Sequence, residues 1–167
     1  FVIVFLSVFV HIYDRDIVLF ALEGQSILLR LNAVEVLSIF AFSIPAVCGI
    51  ANIMLANNIC DMEDDIENGR YTLPIYIGKQ KALWLFEALY YIAFIDIILL
   101  VIFRIVPLTL LLVLLVFVPI KKNIGLFRKT QTKKDTFELA VKNFIIMCGS
   151  QLLLLAVSTI GFFVNLL

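Results

Sequence analysis

The chain has 167 residues, of which 63% are hydrophobic and 16% charged, and its 13 basic and 13 acidic side chains give a net charge of zero. A soluble domain carries roughly 45–50% apolar and about 25% charged residues, and a chain of this length cannot bury such an excess of apolar surface. The composition therefore excludes an ordinary soluble domain and predicts a lipid bilayer as the surrounding medium. The balanced charge carries no signature of nucleic-acid binding, and we expect no nucleic-acid partner.

Apolar segments predict an all-α integral membrane protein, a multi-helix transmembrane bundle of about four to five spans. They are, in chain order, Phe1–Tyr13, Val36–Ala56, Ala82–Phe103, Ile105–Ile120 and Asn143–Leu167. A span needs roughly 20 apolar residues. The second, third and fifth segments meet this length, whereas the fourth is short and should recruit flanking residues. We expect the stretch from residue 14 to Asn32 to form a mostly polar connection with a short apolar patch, Ile17–Leu22.

The first segment begins at Phe1 with no basic stretch before it, so it is a poor signal peptide. We interpret it as a helix cut partway. The prediction is a single transmembrane domain over residues 1–167 that lacks its N-terminal portion.

Basic residues predict the orientation of the spans, because Lys and Arg concentrate in cytoplasmic loops. Ten of the 13 lie in two connections, one after the second segment and one after the fourth. Counting spans places both connections on the same side of the membrane. We therefore expect a multi-pass protein of the cell membrane, with Asn57–Lys81 and Lys121–Lys142 in the cytoplasm and the C-terminus outside.

An acidic cluster follows the second segment. Five acids lie within the seven residues that begin at Asp61. If the helix continues through them, Asp61 and Asp65 lie about 40° apart, one turn from each other on one face. Asn57 and Asn58 then lie one turn earlier, and Gly69, one turn later, can end the helix.

The spacing of these acids indicates a metal site. Two like charges one turn apart destabilise a helix, and a divalent cation would relieve their repulsion. Mg²⁺ prefers oxygen ligands and typically takes one or two carboxylates together with substrate phosphates. Arg70 and Lys79 lie nearby, and an arginine can hold phosphate oxygens in a two-pronged contact, so the stretch fits a metal-bridged diphosphate. The alternative is a solvated charged loop whose basic residues only set the topology.

These residues resemble the second aspartate-rich motif of the UbiA family of intramembrane prenyltransferases. That motif is D-x-x-x-D-x-x-x-G, followed by a run containing threonine or serine and by a later glycine. The matching positions are Asp61, Asp65, Gly69, Thr72 and Gly78. The later spans match the last four helices of the family's bundle, with Phe1–Tyr13 as part of the helix before them. The family's first motif, N-D-x-x-D-x-x-x-D, does not occur in this sequence.

Within the family, paired asparagines before the motif and G-K-R-T-L after it are similar to the branch that prenylates 1,4-dihydroxy-2-naphthoate in menaquinone biosynthesis. Here the pair is Asn57-Asn58 and the later run is Gly69-Arg70-Tyr71-Thr72-Leu73. Arginine follows the glycine directly, and Tyr71 stands where the second basic residue would be. The branch that prenylates 4-hydroxybenzoate carries similar aspartates with a different run after the glycine.

The resemblance implies a transferase that moves a polyprenyl group from an allylic polyprenyl diphosphate to an aromatic acceptor. Asp61 and Asp65 would be the catalytic residues and the Mg²⁺ ligands. The diphosphate would be bound by Asn57, Asn58, Asp64, Arg70 and Lys79. The remaining acids of the cluster, Glu63 and Glu67, are expected to face solvent. Because the first motif is missing, this stretch alone is expected to be inactive.

Other functions remain open at this point. A transporter or channel fragment should place charges at mid-membrane on several helices, whereas the main cluster here lies at a helix end. A membrane phosphotransferase that uses a nucleotide-activated alcohol would carry glycine at the position of Asn57 and an earlier D-G-x-x-A-R. A non-catalytic membrane protein is a third possibility. Within the third segment, we expect Glu87 to reach the interface and Asp96 to pair within the bundle.

Overall fold

The computed structural model describes residues 2–3, 17–24 and 26–164. The chain divides into two compact units, Phe1–Ile44 and Pro45–Leu167. Of the first predicted segment only Val2 and Ile3 are described, and both are helical. The rest of that segment lies outside the described residues.

An antiparallel hairpin precedes the first long helix. Its strands are β1, Val18–Glu23, and β2, Ser26–Leu31, and the register pairs Val18 with Leu31 and Glu23 with Ser26. Gly24 adopts a φ of +63° in the turn, a conformation that glycine adopts at no steric cost. The expectation of a mostly polar connection is therefore wrong. The short apolar patch is half of a hairpin, and a second apolar run after the glycine completes it.

Among the described residues, four helices are long and apolar enough to cross a membrane, and the prediction of an all-α integral membrane bundle is confirmed. Helix α1 is Ala33–Cys60 and contains Pro45. Two short helices follow, α2 at Met62–Glu67 and α3 at Leu73–Ile77. Helix α4 is Lys79–Ile102. A 3-10 helix, Leu108–Val116, runs directly into α5, Phe117–Lys129, and the last helix is α6, Phe137–Val164.

The fourth segment gains its length from flanking residues, as expected. Taken together, the 3-10 helix and α5 form a 22-residue span, Leu108–Lys129. The other three long helices begin three to six residues before the predicted segments. Helix α1 begins early because Asn32 caps it: its Oδ1 accepts hydrogen bonds from the backbone N–H groups of Val34 at 3.2 Å and Glu35 at 3.3 Å.

The core of the second unit lies along one face of α4. Its buried residues include Phe86, Tyr90, Ile97 and Leu100, which recur at the three- and four-residue spacing of one helical face. The Phe86 ring lies 4.6 Å from the ring of Phe127 on α5, centroid to centroid. This contact fixes the end of α5 against α4.

Polar side chains are also buried in this core. Asn52, Tyr90 and Asn143 are at most 1% exposed, and the side-chain amide of Asn123 donates to Oδ1 of Asn143 at 2.7 Å. The Tyr90 hydroxyl lies close to the amides of Asn52 and Asn143, although neither contact has full hydrogen-bond geometry. Asn143 therefore makes a helix–helix hydrogen bond between α5 and α6.

Replacing Gly49 by alanine tests how closely α1 and α6 pack. A Cβ at this position would lie 2.5 Å from Cδ2 of Phe144, so the ring would have to move. We expect Gly49→Ala to lower the free energy of unfolding by about 1–3 kcal/mol, measured by denaturant titration in detergent micelles. Gly149→Ala on α6 is the matched control, because a Cβ there meets nothing within 4 Å. Equal stability of the two variants would contradict the close contact.

Candidate active site

Backbone hydrogen bonds continue from the end of α1 into α2. The N–H of Asp61 donates to the carbonyl of Asn57 at 3.0 Å, and the N–H of Asp65 donates to the carbonyl of Asp61 at 2.8 Å. Both are helical bonds between residues four apart, although Asp61 itself stands between the two helices with φ −96° and ψ 7°. Asp61 and Asp65 therefore lie one turn apart on one face, the arrangement that the spacing required.

Helix α2 ends at Gly69 in a Schellman motif. The N–H of Gly69 donates to the carbonyl of Ile66 at 3.1 Å, and the N–H of Arg70 donates to the carbonyl of Asp65 at 2.7 Å. Gly69 adopts a φ of +67°, which L side chains rarely adopt. The chain then turns into α3, with Thr72 at its N-terminus. This turn places Thr72 beside the second aspartate.

The side chains of the two aspartates differ in their surroundings. Oδ2 of Asp61 accepts hydrogen bonds from Nδ2 of Asn57 at 3.1 Å and from Nζ of Lys133 at 2.7 Å. Asp65 is buried, with 9% of its surface exposed, and the Thr72 hydroxyl makes a long contact of 3.5 Å with its Oδ2. The first aspartate is thus held by an asparagine and a cation, and the second is shielded within the turn.

Comparison with known proteins identifies the family. The family model described as "UbiA prenyltransferase family" matches residues 1–148. The chain belongs to the UbiA prenyltransferase family. No curated protein and no solved structure matched the chain. Membership in the UbiA family implies prenyl transfer to an aromatic acceptor and residence in a membrane.

The other four predicted site residues lie near the two aspartates in sequence but make no polar side-chain contact with them. Asn58 is half-buried, and the side chains of Asp64, Arg70 and Lys79 are exposed. Within the described part of the chain, none of these four has a side-chain hydrogen bond or ion pair with Asp61 or Asp65. Lys79 contributes to a cavity of about 220 Å³ beside the cluster. This cavity is lined by Ile59, Cys60, Met62, Glu63, Ile66, Lys79 and Gln131; Glu63, expected to face solvent, is exposed at its edge.

Lys133 is the site residue that the sequence did not reveal. It lies 72 residues after Asp61, in the connection between α5 and α6. The only signal was topological: span counting placed both basic connections at the same end of the bundle, and the contact between Lys133 and Asp61 joins them there. The hydrogen bond to Asp61 raises the pKa of the Lys133 ammonium group. Lys133 is 61% exposed, so water and salt screen the pair.

Two carboxylates on α4, Glu87 and Asp96, are not part of this site. Glu87 pairs with Arg128 and accepts a hydrogen bond from the Tyr91 hydroxyl at 3.0 Å. Asp96 is 8% exposed, and its Oδ2 has no hydrogen-bond partner among the described residues. The pairing of Asp96 within the bundle, expected from the sequence, is therefore not observed among the described residues. Across the described residues, no group of three or more His, Cys, Asp or Glu side chains is arranged to hold a metal.

We expect the two asparagines before the motif to contribute unequally to the affinity for Mg²⁺. Asn57 donates to Asp61, and groups that orient a metal ligand typically contribute about ten- to a hundredfold to metal affinity. We expect Asn57→Ala to raise the Kd for Mg²⁺ about tenfold. The Kd is obtained from the increase of the melting temperature as the Mg²⁺ concentration is raised. Asn58→Ala is the matched control and should bind Mg²⁺ like the unaltered chain. Equal losses in the two variants would count against the role given to Asn57.

Proposed function

We propose that Asp61 and Asp65 form one metal-binding half of the diphosphate site of a Mg²⁺-dependent aromatic prenyltransferase. The observation that carries this proposal is the pair of helical hydrogen bonds that joins Asn57, Asp61 and Asp65. They lie at the end of a long apolar helix in a UbiA-family chain. The reaction is transfer of a polyprenyl group from an allylic polyprenyl diphosphate to an aromatic acceptor.

The donor set is compatible with Mg²⁺. Two carboxylates are what Mg²⁺ usually takes from a protein when phosphate oxygens and water complete its six ligands. Oδ2 of Asp61 already accepts a hydrogen bond from a cation, the ammonium group of Lys133. When bound, the metal would neutralise charge on the departing diphosphate as the allylic C–O bond breaks.

The chain's own side chains would position the reacting groups. Asn57 orients the Asp61 carboxylate, and Thr72 lies against Asp65. Arg70 and Lys79 are exposed beside the same helix end, where their charges suit a diphosphate. Asn58 and Asp64 border the same end and are proposed to complete the contacts with the diphosphate.

The proposed acceptor is 1,4-dihydroxy-2-naphthoate, as in menaquinone biosynthesis. Support comes from the pair Asn57-Asn58 and from the Thr72-Leu73 ending of the run after Gly69. The electron-rich ring would attack the allylic carbon, forming a C–C bond while the ring carboxylate leaves as carbon dioxide. Tyr71, at the position of a basic residue in that branch, makes 4-hydroxybenzoate the second candidate acceptor.

We also propose that the motif faces the cytoplasm and the C-terminus faces outside. The basic residues concentrate in the two connections that meet through Lys133 and Asp61, and Lys and Arg favour the cytoplasmic side.

Neutralising either aspartate should abolish turnover. We expect Asp61→Asn and Asp65→Asn each to abolish prenyl transfer in the gene's complete product, because an amide oxygen is a weaker Mg²⁺ ligand than a carboxylate. Radiolabelled polyprenyl diphosphate in membranes provides the assay, and a chelator should stop the reaction until Mg²⁺ is restored. Glu67→Gln, in the same cluster but exposed, is the control and should stay active. Undiminished turnover in both aspartate variants would contradict the assignment of Asp61 and Asp65 as catalytic Mg²⁺ ligands.

The acceptor is tested by competition between two aromatic acids. With equal concentrations of 1,4-dihydroxy-2-naphthoate and 4-hydroxybenzoate, we expect the product to be the decarboxylated prenyl naphthalene-diol, with one carbon dioxide released for each transfer. Mass spectrometry of the lipid extract distinguishes the two products. A prenylated hydroxybenzoate that keeps its carboxylate would assign the chain to the other branch.

A further inference from the structure

The connection between α5 and α6 has a defined local structure. The Thr132 N–H donates to Oγ1 of Thr136 at 2.9 Å, and the Thr136 N–H donates to the carbonyl of Thr132 at 3.1 Å. The Thr132 hydroxyl accepts from the Asp135 N–H at 3.2 Å and donates to Oδ2 of Asp135 at 3.1 Å. Bonds of this kind close a turn without strand or helix partners. Lys133 therefore lies in a turn that its neighbours hold together.

This turn is also attached to the packed core. The side-chain amide of Gln131 donates to the carbonyls of Phe127 at 2.6 Å and Arg128 at 2.9 Å, which satisfies carbonyls at the end of α5. Phe127 is fully buried against Phe86, and Thr136 on the far side of the turn is buried as well. Both ends of the turn are thus fixed, and the Lys133 side chain reaches the motif from a rigid base.

At the tip of this turn, the ammonium group of Lys133 occupies one oxygen of the first motif aspartate. Its Nζ lies 2.7 Å from Oδ2 of Asp61, and the two side chains are 61% and 16% exposed. Lys134, the next residue, is exposed and has no such contact in the described structure. The Asn57 amide also donates to Oδ2 of Asp61, at 3.1 Å, so both lone pairs of this oxygen are already used. A magnesium ion bound to the same oxygen, at about 2.0–2.1 Å, would have to replace one of these two donors.

We propose that Lys133 is a built-in competitor of the divalent cation at Asp61, which the metal must displace. This inference rests on the proposed function, because it takes Asp61 to be a metal ligand. An exposed lysine–carboxylate pair is weak, so a divalent cation can displace the ammonium at moderate concentration. While it is paired, Lys133 neutralises one of the clustered acids and weakens the binding of a divalent cation before the diphosphate arrives.

The test is binding of Mn²⁺, a spectroscopic substitute for Mg²⁺, to the full chain in detergent at fixed pH and ionic strength. Free Mn²⁺ is measured by electron paramagnetic resonance. We expect Lys133→Met to lower the Kd about two- to fivefold, the range that an exposed ion pair allows. Raising the ionic strength should shrink this difference, because salt already weakens the pair in the unaltered chain.

Lys134→Met is the matched control, since it removes the same charge from the neighbouring position without breaking the contact. Its Kd should stay within about 1.5-fold of the unaltered chain, as expected for screened charges. The proposal is overturned if Lys133→Met leaves the Kd unchanged or raises it, or if Lys134→Met lowers it equally. The last result would show a general effect of net charge.

A third variant, Asp61→Asn, separates this inference from the proposed function. If Asp61→Asn abolishes Mn²⁺ binding while Lys133→Met leaves the Kd unchanged, the metal site stands and the competition alone is wrong. If the unaltered chain binds no Mn²⁺, or if Asp61→Asn binds it equally well, Asp61 is not the ligand and both proposals fail.

Discussion

Hydrocarbon offers no hydrogen-bond partners, so a backbone at membrane depth must satisfy its N–H and C=O groups within its own helix. At the end of α1 this pattern continues past the last apolar turn, through Asp61 to Asp65, and stops only at Gly69. The positions of both carboxylates depend on that continuity. A loop starting at Asn57 would leave the same acids without a fixed spacing, and two like charges would then separate.

Polar side chains within the helix bundle are buried, whereas the contact between Lys133 and Asp61 is open to water. Asn52, Tyr90 and Asn143 are enclosed among the helices, where an amide or hydroxyl is costly to leave unpaired and where their contacts restrict how the helices pack. Lys133 and Asp61 meet where water reaches both side chains, so their attraction is screened. The buried polar groups thus restrict the packing of the helices, whereas the exposed pair of Lys133 and Asp61 is weak enough for a ligand to replace it.

Hydropathy and spacing predicted the features that depend on local sequence. The four spans and the shared face of Asp61 and Asp65 follow from segment length and helical period, and Gly69 ends its helix for the conformational reason expected. The hairpin was missed because its strands, Val18–Glu23 and Ser26–Leu31, have only six residues each, too short for a membrane span. The polar residues between and beside these two short apolar runs suggested a connection instead. Lys133 was missed because only the packing of α5 against α4 brings it to a residue 72 positions earlier.

Charge at the site also explains why the two basic connections belong at one end of the bundle. Five acids lie in seven residues from Asp61, and a diphosphate would add further negative charge beside them. Lys133 neutralises one carboxylate of the cluster, and in the proposed function a divalent cation would offset the charge of the diphosphate. The lysine and arginine residues of the two connections also offset the acids, and Lys133 does so through its direct contact with Asp61.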